Sequence, residues 1–471
     1  MIFNSVLYFL FLPTVFWLNF SLPPRFRTSF LLLASYVFYM SWKVEYVVIV
    51  IGLTVLDFLL ARWMEAKEGR DRRLLLIFSW VSNLGVLFLF KYAGFFAQES
   101  NRILHWLQVG GHIPVTDLLL PIGLSFHTFQ SIGYATDVYR KRIPAEKNLI
   151  HFALFVAWFP QLVAGPIERA AALLPQLKQT RFPSQDFVRS GAYLITWGLF
   201  KKVVLADNLS PFAERIFSSP ESYSSAACWI GIYSYALQIY CDFSGYTDIA
   251  KGSSLFFGVK LMDNFNRPYL ARNFVDFWKR WHISLTSWFF DYVFFPMATR
   301  TRTVFGFALA ALLTFMISGF WHGANWTFLI WGLMNGALYL ASMVYSRAKI
   351  KHRLEIPSLL EQLLTFHLVC LCWVFFRATS LESARILIES ALGMSGDGVR
   401  SIGSLKEALF GRLLNVWVGL LVAVVFTIRH QSIRENIRQS WRDFWPIILT
   451  LAFLATVFGD FNAAEFIYFQ F

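Results

Sequence analysis

Apolar runs near 20 residues long recur from one end of this 471-residue chain to the other, and no other feature limits its fold so sharply. Each run can cross a hydrocarbon layer of about 30 Å as a helix. Inside that layer no water satisfies peptide groups, so a spanning chain is either a set of helices or a closed barrel. These runs are continuous and lack the alternation of barrel strands, so they specify helices. Composition agrees, with 15% charged residues against about 25% in a soluble domain. The sequence predicts an all-α polytopic membrane bundle of ten to twelve spans, forming one membrane-embedded domain over residues 1–471.

Spans are expected near residues 1–20, 28–41, 44–63, up to 90, 118–138, 191–205, 226–240, 304–320, 326–345, 359–376, 413–428 and 445–458. The run Leu149–Val163 is different. Basic residues flank both of its ends, and Pro160, Gly165 and Pro166 interrupt it, so it reads as re-entrant or as one side of a missed span. Three basic loops, Arg25/Arg27, Arg62–Arg73 and Arg140–Lys147, share one side if the spans alternate. The positive-inside rule assigns that side to the cytoplasm and the N-terminus to the outside. The same rule accounts for most of the net charge of +13, so no nucleic-acid partner is expected. No basic segment precedes the first run and no small-residue cleavage site follows it. That span is therefore expected to be retained.

The stretch from Asp242 to Arg302 is too polar to cross lipid and too aromatic for a solvated linker. It reads as helices packed at or below the cytoplasmic interface. Within it, Asp242 and Asp248 lie six residues apart around Gly245. The glycine suggests a break, and pairing with Arg267 or Arg272 would be structural. Gly393–Gly411 is a loop without evident chemistry. Cys228, Cys241, Cys370 and Cys372 fall in apolar runs without C-x-x-C spacing and read as packing residues, not as disulfide or metal positions.

An ionisable side chain in an apolar run is a functional hypothesis by default. The run Met316–Trp331 (M-I-S-G-F-W-H-G-A-N-W-T-F-L-I-W) holds His322. Gly319 and Gly323 thin the helix around it, Asn325 follows at i+3 on the same face, and Trp321 and Trp326 wall the site. A neutral imidazole at depth can act as a general base. The competing reading is a histidine hydrogen-bonded across helices for packing. His282, in F-W-K-R-W-H-I-S-L-T-S-W, is either a second catalytic or orienting histidine, part of an anion-binding mouth, or one polar residue of an interfacial helix. The run containing Arg267, Arg272, Lys279 and Arg280 has the chemistry to hold phosphates and a flat base, and equally that of ordinary positive-inside anchors. His127, with Ser125 and Gln130 near it, reads as pore lining or as glue between helices. His105, His112, His151, His352, His367 and His430 read as structural or surface residues. No G-x-S-x-G, G-x-x-x-x-G-K-[ST], H-E-x-x-H or Cys/His metal spacing occurs. Energy for any reaction would therefore arrive within a substrate such as a thioester.

These words in this order resemble the membrane-bound O-acyltransferases, in particular the bacterial branch of alginate O-acetyltransferases and D-alanyl transferases. The resemblance runs through Leu120–Gln130, Phe159–Ile167, Asp242–Ala250 and Asn264–Leu285, is strongest at Phe320–Gly332, and extends to the terminal Phe466–Phe471. The sequence departs from the branch near Phe290, where Arg is more common, and at Met297–Arg300, where a Leu-Gly-Gly turn is more usual.

The resemblance implies a ring of tilted helices, with re-entrant segments, around a central tunnel. It implies transfer of an acetyl group from acetyl-CoA or another cytoplasmic acyl thioester, with no bound cofactor. His322 falls on the family's invariant histidine and His282 on its second position. His322 would act as the base, with His282 or Asn325 orienting the hydroxyl or stabilising the oxyanion. The donor would dock at Arg267, Arg272, Lys279 and Arg280. The acceptor would be an exported polysaccharide such as alginate, reached directly or through a periplasmic SGNH-type partner, at a bacterial inner membrane. D-alanyl transfer toward teichoic acid is the alternative transfer, and a polysaccharide or lipid transporter without covalent chemistry is the alternative class.

Overall fold

The computed structural model describes residues 2–115, 118–162, 165–353, 355–394, 412–428, 433, 435–437, 440–461 and 466. Every regular element among them is helical. His430, nearly all of the Gly393–Gly411 loop, and all of the terminal stretch except Phe466 lie outside the described residues. The chain divides into two compact units, Met1–Ala192 with Ala250–Met262, and Tyr193–Ile249 with Asp263–Phe471.

The first unit contains α1 (Val6–Ser21), α2 (Pro24–Met40), α3 (Val47–Ala66), α4 (Gly69–Lys91), α5 (Ala93–Trp106), α6 (Leu124–Tyr139), α7 (Leu149–Ala157), α8 (Phe159–Leu162) and α9 (Ala170–Leu177). Ser5 caps α1 through a hydrogen bond from the Tyr8 amide, and Pro24 begins α2 where its missing N–H costs nothing. The segment Val44–Ala66 and helix α4 are each 23 residues long, enough for about 34 Å. On α4 the side chains of Ile77, Phe78, Val81, Leu84 and Phe88 are exposed. An apolar surface of that extent suits lipid and not water.

Polar side chains join α3, α4 and α6 on their inner faces. Ser79 and Asn83 donate to the buried Asp57 carboxyl at 2.7 and 2.8 Å, and the Trp80 indole donates to Thr136 at 3.1 Å. Arg72 donates to the last carbonyls of α6, Val138 at 2.6 Å and Tyr139 at 3.2 Å. A cation at a helix C-terminus also complements its dipole. Where hydrocarbon offers no alternative partner, such bonds tie helices together.

The Leu149–Val163 run is broken as expected, but at Trp158 (ψ 109°). Pro160 sits inside the four-residue α8, where its ring is tolerated in the first turn. The 14 residues Leu149–Leu162 of this pair reach only about 21 Å, short of a bilayer core. Glu168 follows, buried, and accepts the Met262 amide at 2.5 Å. Burial pushes its pKa up to about 7, against the pull of that amide and of Arg169 and Lys251. A raised folded-state pKa means the folded chain binds a proton that the unfolded chain releases. Stability from this group is complete below about pH 4.5 and declines as pH rises toward 7. Glu168→Gln is therefore expected to flatten the fall in melting temperature across that window. An unchanged pH profile would remove Glu168 as its source.

The second unit holds the C-terminal half of α10 (Gln185–Leu199) and most of α12 (Ser225–Leu255), with α11 (Asp207–Ser218) between them. A π-helical turn at Phe200–Ala206 joins α10 to α11. The expected break at Gly245 does not occur, and α12 continues through it for 31 residues. Gly245 is needed for close packing, since a Cβ there would lie 2.8 Å from the Gly198 carbonyl oxygen, and one at Gly198 would lie 2.5 Å from that of Gly245. Asp242 and Asp248 consequently belong to the helix, not to a separate interfacial segment. They do not pair with Arg267 or Arg272. Asp242 bonds Lys202 at 2.8 Å and Asp248 bonds Lys201 at 2.7 Å, because the helix that approaches at Gly198 presents those lysines.

The remaining elements are α13 (Phe274–Trp278), α14 (Ile283–Phe289), α15 (Phe295–Thr301), α16 (Val304–His322), α17 (Trp326–His352), α18 (Ser358–Arg377) and α19 (Leu381–Ala391), then helices Leu413–Ile428 and Trp441–Phe458. Met297–Arg300 lies within α15. Among the described residues six helices are long and apolar enough to span, and Val6–Ser21, Leu149–Leu162 and Leu414–Phe426 are shorter apolar helices. The all-helical, multi-pass membrane architecture read from the sequence holds. The four cysteines are buried, as expected of packing residues.

Candidate functional site

His322 ends α16. Gly323, extended at φ −164°, stops the helix, and Asn325 starts α17. Met316–Trp331 is thus a helical hairpin and not one continuous run, because G-A-N offers a helix end and then an N-cap. This break displaces Asn325 from the α16 face. It does not share a helical face with His322 at i+3. Its side-chain oxygen accepts the Thr327 amide at 3.1 Å, and its NH₂ donates to the Thr379 carbonyl at 3.0 Å. Both ends of that amide are used, one in capping α17 and the other in holding the segment that follows α18.

The two arms of the hairpin approach closely. A Cβ on Gly319 would lie 2.2 Å from the Phe328 carbonyl oxygen, and one on Gly332 would lie 2.4 Å from that of Phe315. Both obstacles are backbone, so the arms would have to separate. Gly319→Ala is expected to cost about 1–3 kcal/mol from overpacking, more than the ~1 kcal/mol that alanine gains in a helix. The melting temperature of the solubilised protein should fall accordingly. A rise would show that the arms can yield.

The His322 ring is buried among aromatic rings. Centroid distances are 4.8 Å to Trp321, 5.2 Å to Trp331 and 5.1 Å to Phe376. Trp321 was expected as a wall. Trp331 takes the place assigned to Trp326, which is exposed, since the break at Gly323 resets the helical register. Phe376 was missed. It lies on α18, more than fifty residues downstream, in the apolar stretch Leu368–Phe376. Trp373, three residues before it, packs against Phe376 at 5.3 Å and stacks on Trp331 at 6.0 Å. A three-residue spacing places both on one helix face.

His282 also sits at a helix start, capping α14 in the left-handed region (φ 43°), and Arg267 is left-handed as well (φ 46°). Such a conformation costs a side-chain-bearing residue roughly 1–2 kcal/mol, so neighbours must hold it. The Ile283 amide donates to the Asn264 carbonyl at 3.0 Å, and the Asn266 amide to that of Arg280 at 2.9 Å. The Asn264 side chain accepts the Ser284 hydroxyl at 2.6 Å. These bonds fold N-F-N-R back along R-W-H-I-S. The His282 ring packs edge-on against Phe243 at 4.7 Å. Burial pushes its pKa down to about 3, so its imidazole is neutral near pH 7. Its neighbour Trp281 meets Trp373 at 4.9 Å. One aromatic wall, Trp281–Trp373–Trp331, therefore runs from beside His282 to His322. Phe466 packs at 4.2 Å from Tyr246 and 6.0 Å from Phe243, the ring that His282 meets.

The basic positions are unequal. Arg272 and Lys279 are exposed, whereas Arg280 pairs with Asp276 at 2.7 Å. The local positive charge is carried mainly by Arg267, Arg272 and Lys279. His127, in the first unit, has a defined tautomer. Thr54 donates its hydroxyl to the Val50 carbonyl at 2.6 Å, so it accepts from His127 Nε2–H at 3.1 Å. That bond makes His127 a link between α3 and α6.

The sequence pattern of the membrane-bound O-acyltransferase family matches residues 139–384. The chain is 37% identical over 430 residues to the peptidoglycan O-acetyltransferase of Helicobacter pylori, covering 84% of this chain and 80% of that one. It is 36% identical over 442 residues to the probable alginate O-acetylase of Pseudomonas aeruginosa, covering 93% and 83%. Against the protein of the same name from Azotobacter vinelandii it is 39% identical over 432 residues, covering 91% and 85%. The chain belongs to the membrane-bound O-acyltransferase family and is an O-acyltransferase.

Proposed function

We propose that this protein transfers an acetyl group from a cytoplasmic thioester, acetyl-CoA or another acyl carrier, toward the O-acetylation of an exported polysaccharide such as alginate, in a bacterial inner membrane. The observation that carries this reading is the His322 ring, set at a helix end and enclosed by Trp321, Trp331 and Phe376. A buried imidazole shielded from water is suited to take a proton from an alcohol. Relatives named for O-acetyl transfer cover 84–93% of the chain, which supports acetyl over D-alanyl as the transferred group.

In this reading the thioester docks at Arg267, Arg272 and Lys279, with Arg280 held by Asp276. The acceptor hydroxyl gives its proton to His322 as its oxygen attacks the thioester carbonyl carbon. The C–S bond breaks, and the imidazolium returns the proton to the leaving thiolate, giving an ester and a free thiol. His282, neutral and fixed by the Asn264 bonds, orients the hydroxyl or steadies the oxyanion. Asn325 serves as the cap that keeps His322 at the turn. The acceptor is the glycan itself or a serine of an exported SGNH-type partner.

Purified protein in liposomes, given acetyl-CoA labelled in its acetyl group and a polysaccharide acceptor, tests this. Alkali-labile label on the glycan, or on the partner's serine, is the expected result. Glycan movement across the membrane without label transfer would replace the enzyme by a transporter.

A further inference from the structure

We infer that Phe376 and Trp373 on α18 set the size limit of the transferred acyl group and hold it to two carbons. The inference rests on the reading of His322 as the base. A hydroxyl held by His322 must meet the thioester carbonyl at about 3–3.5 Å, so the rest of the acyl chain lies against the rings around that histidine. Trp321 is its chain neighbour, and Trp331 is fixed by the close approach of Gly319 and Gly332. The wall contributed by a separate helix is α18. Phe376 contacts His322 at 5.1 Å, Phe328 at 5.1 Å and Trp331 at 5.2 Å. Trp373 extends the same face toward Trp281. Both are at most 2% exposed, and the rings they touch are buried too, so neither can swing aside without displacing a neighbour. A close-packed aromatic wall rejects added methylenes by shape, and each is worth about tenfold or more in rate. Acetyl, with a single methyl beyond the carbonyl, is the chain such a wall admits most readily.

The test compares acetyl-, propionyl- and butyryl-CoA as donors for the full-length protein in liposomes. The readout is the butyryl-to-acetyl rate ratio, which is independent of how much protein is folded. Wild type should lose about tenfold or more per methylene. Phe376→Ala should raise the ratio at least about tenfold, by the size of one methylene step. Phe376→Leu, which keeps an apolar side chain of intermediate size, should move it in the same direction and decides the matter if the alanine variant does not assemble. Trp373→Phe should also favour longer chains. An unchanged ratio in an assembled Phe376 variant overturns the inference. His322→Ala runs in parallel: loss of transfer from all three donors keeps the proposed chemistry standing whatever the ratio does. Full transfer without His322 would fail that chemistry and the size limit with it.

Discussion

Replacing His322 with alanine is expected to lower acyl transfer by about 10²- to 10⁴-fold, the usual contribution of a general base. His322→Gln should fall nearly as far. Glutamine keeps a polar side chain of similar reach but cannot accept and return a proton. The pair separates chemistry from packing, because truncating a buried ring to alanine opens a cavity among Trp321, Trp331 and Phe376 that can itself cost a few kcal/mol. Transfer is measured per folded molecule, with abundance read by fluorescence-detected gel filtration. Retained transfer in His322→Gln would remove the histidine as the base. Asn325 provides the contrast. Asn325→Ser keeps a capping oxygen for the Thr327 amide, loses only the bond to Thr379, and should retain most activity. A loss as deep as that of His322→Gln would give the Asn325 amide a chemical role beyond its capping bonds.

The helices were legible because hydrocarbon imposes one length and one composition on anything that crosses it. The ends of α4, α16 and α18 fall within a few residues of the runs read from the sequence. His322 and His282 were legible because a histidine is conspicuous against Phe, Leu and Trp. What surrounds them was not. Phe376 and Trp373 look like every other aromatic residue in a chain with 51 phenylalanines and 18 tryptophans. Their role depends on which face of α18 meets α17; Glu361 and Thr365, four residues apart, mark that face at the helix start, but the apolar stretch Leu368–Phe376 that holds both rings carries no such mark. Asn325 was placed on the wrong face for a simpler reason. G-A-N reads as helix interior among its apolar neighbours, but Gly323 ends one helix and Asn325, two residues on, caps the next. The carboxylates failed in the same way. Gly245 reads as a break in the sequence and is a contact with Gly198 in the structure, and that contact decides which cations Asp242 and Asp248 meet.

Lys202→Met is expected to be among the most destabilising single substitutions in the chain, costing about 3–5 kcal/mol. Lys202 Nζ lies 2.8 Å from both Asp207 and Asp242, and all three side chains are nearly inaccessible. Removing the cation leaves two carboxyl groups facing each other in a poorly hydrated interior. Neutralising the carboxyls as well should undo much of the damage, since replacing a whole buried ion cluster by neutral groups costs far less than breaking it. The triple variant Lys202→Met/Asp207→Asn/Asp242→Asn should therefore melt well above Lys202→Met alone. Equal melting temperatures for the two would show that the lysine acts through its ammonium over the Tyr246 ring, 5.7 Å away, and not through the carboxyl pair. The effect should also reach the histidines. Asp242 directly precedes Phe243, the ring on which His282 rests, so the triad anchors the part of α12 that positions His282. Transfer per folded molecule should drop in Lys202→Met even under conditions where the protein survives. A drop confined to the amount of folded protein would limit the triad to holding the π-helical turn against α12.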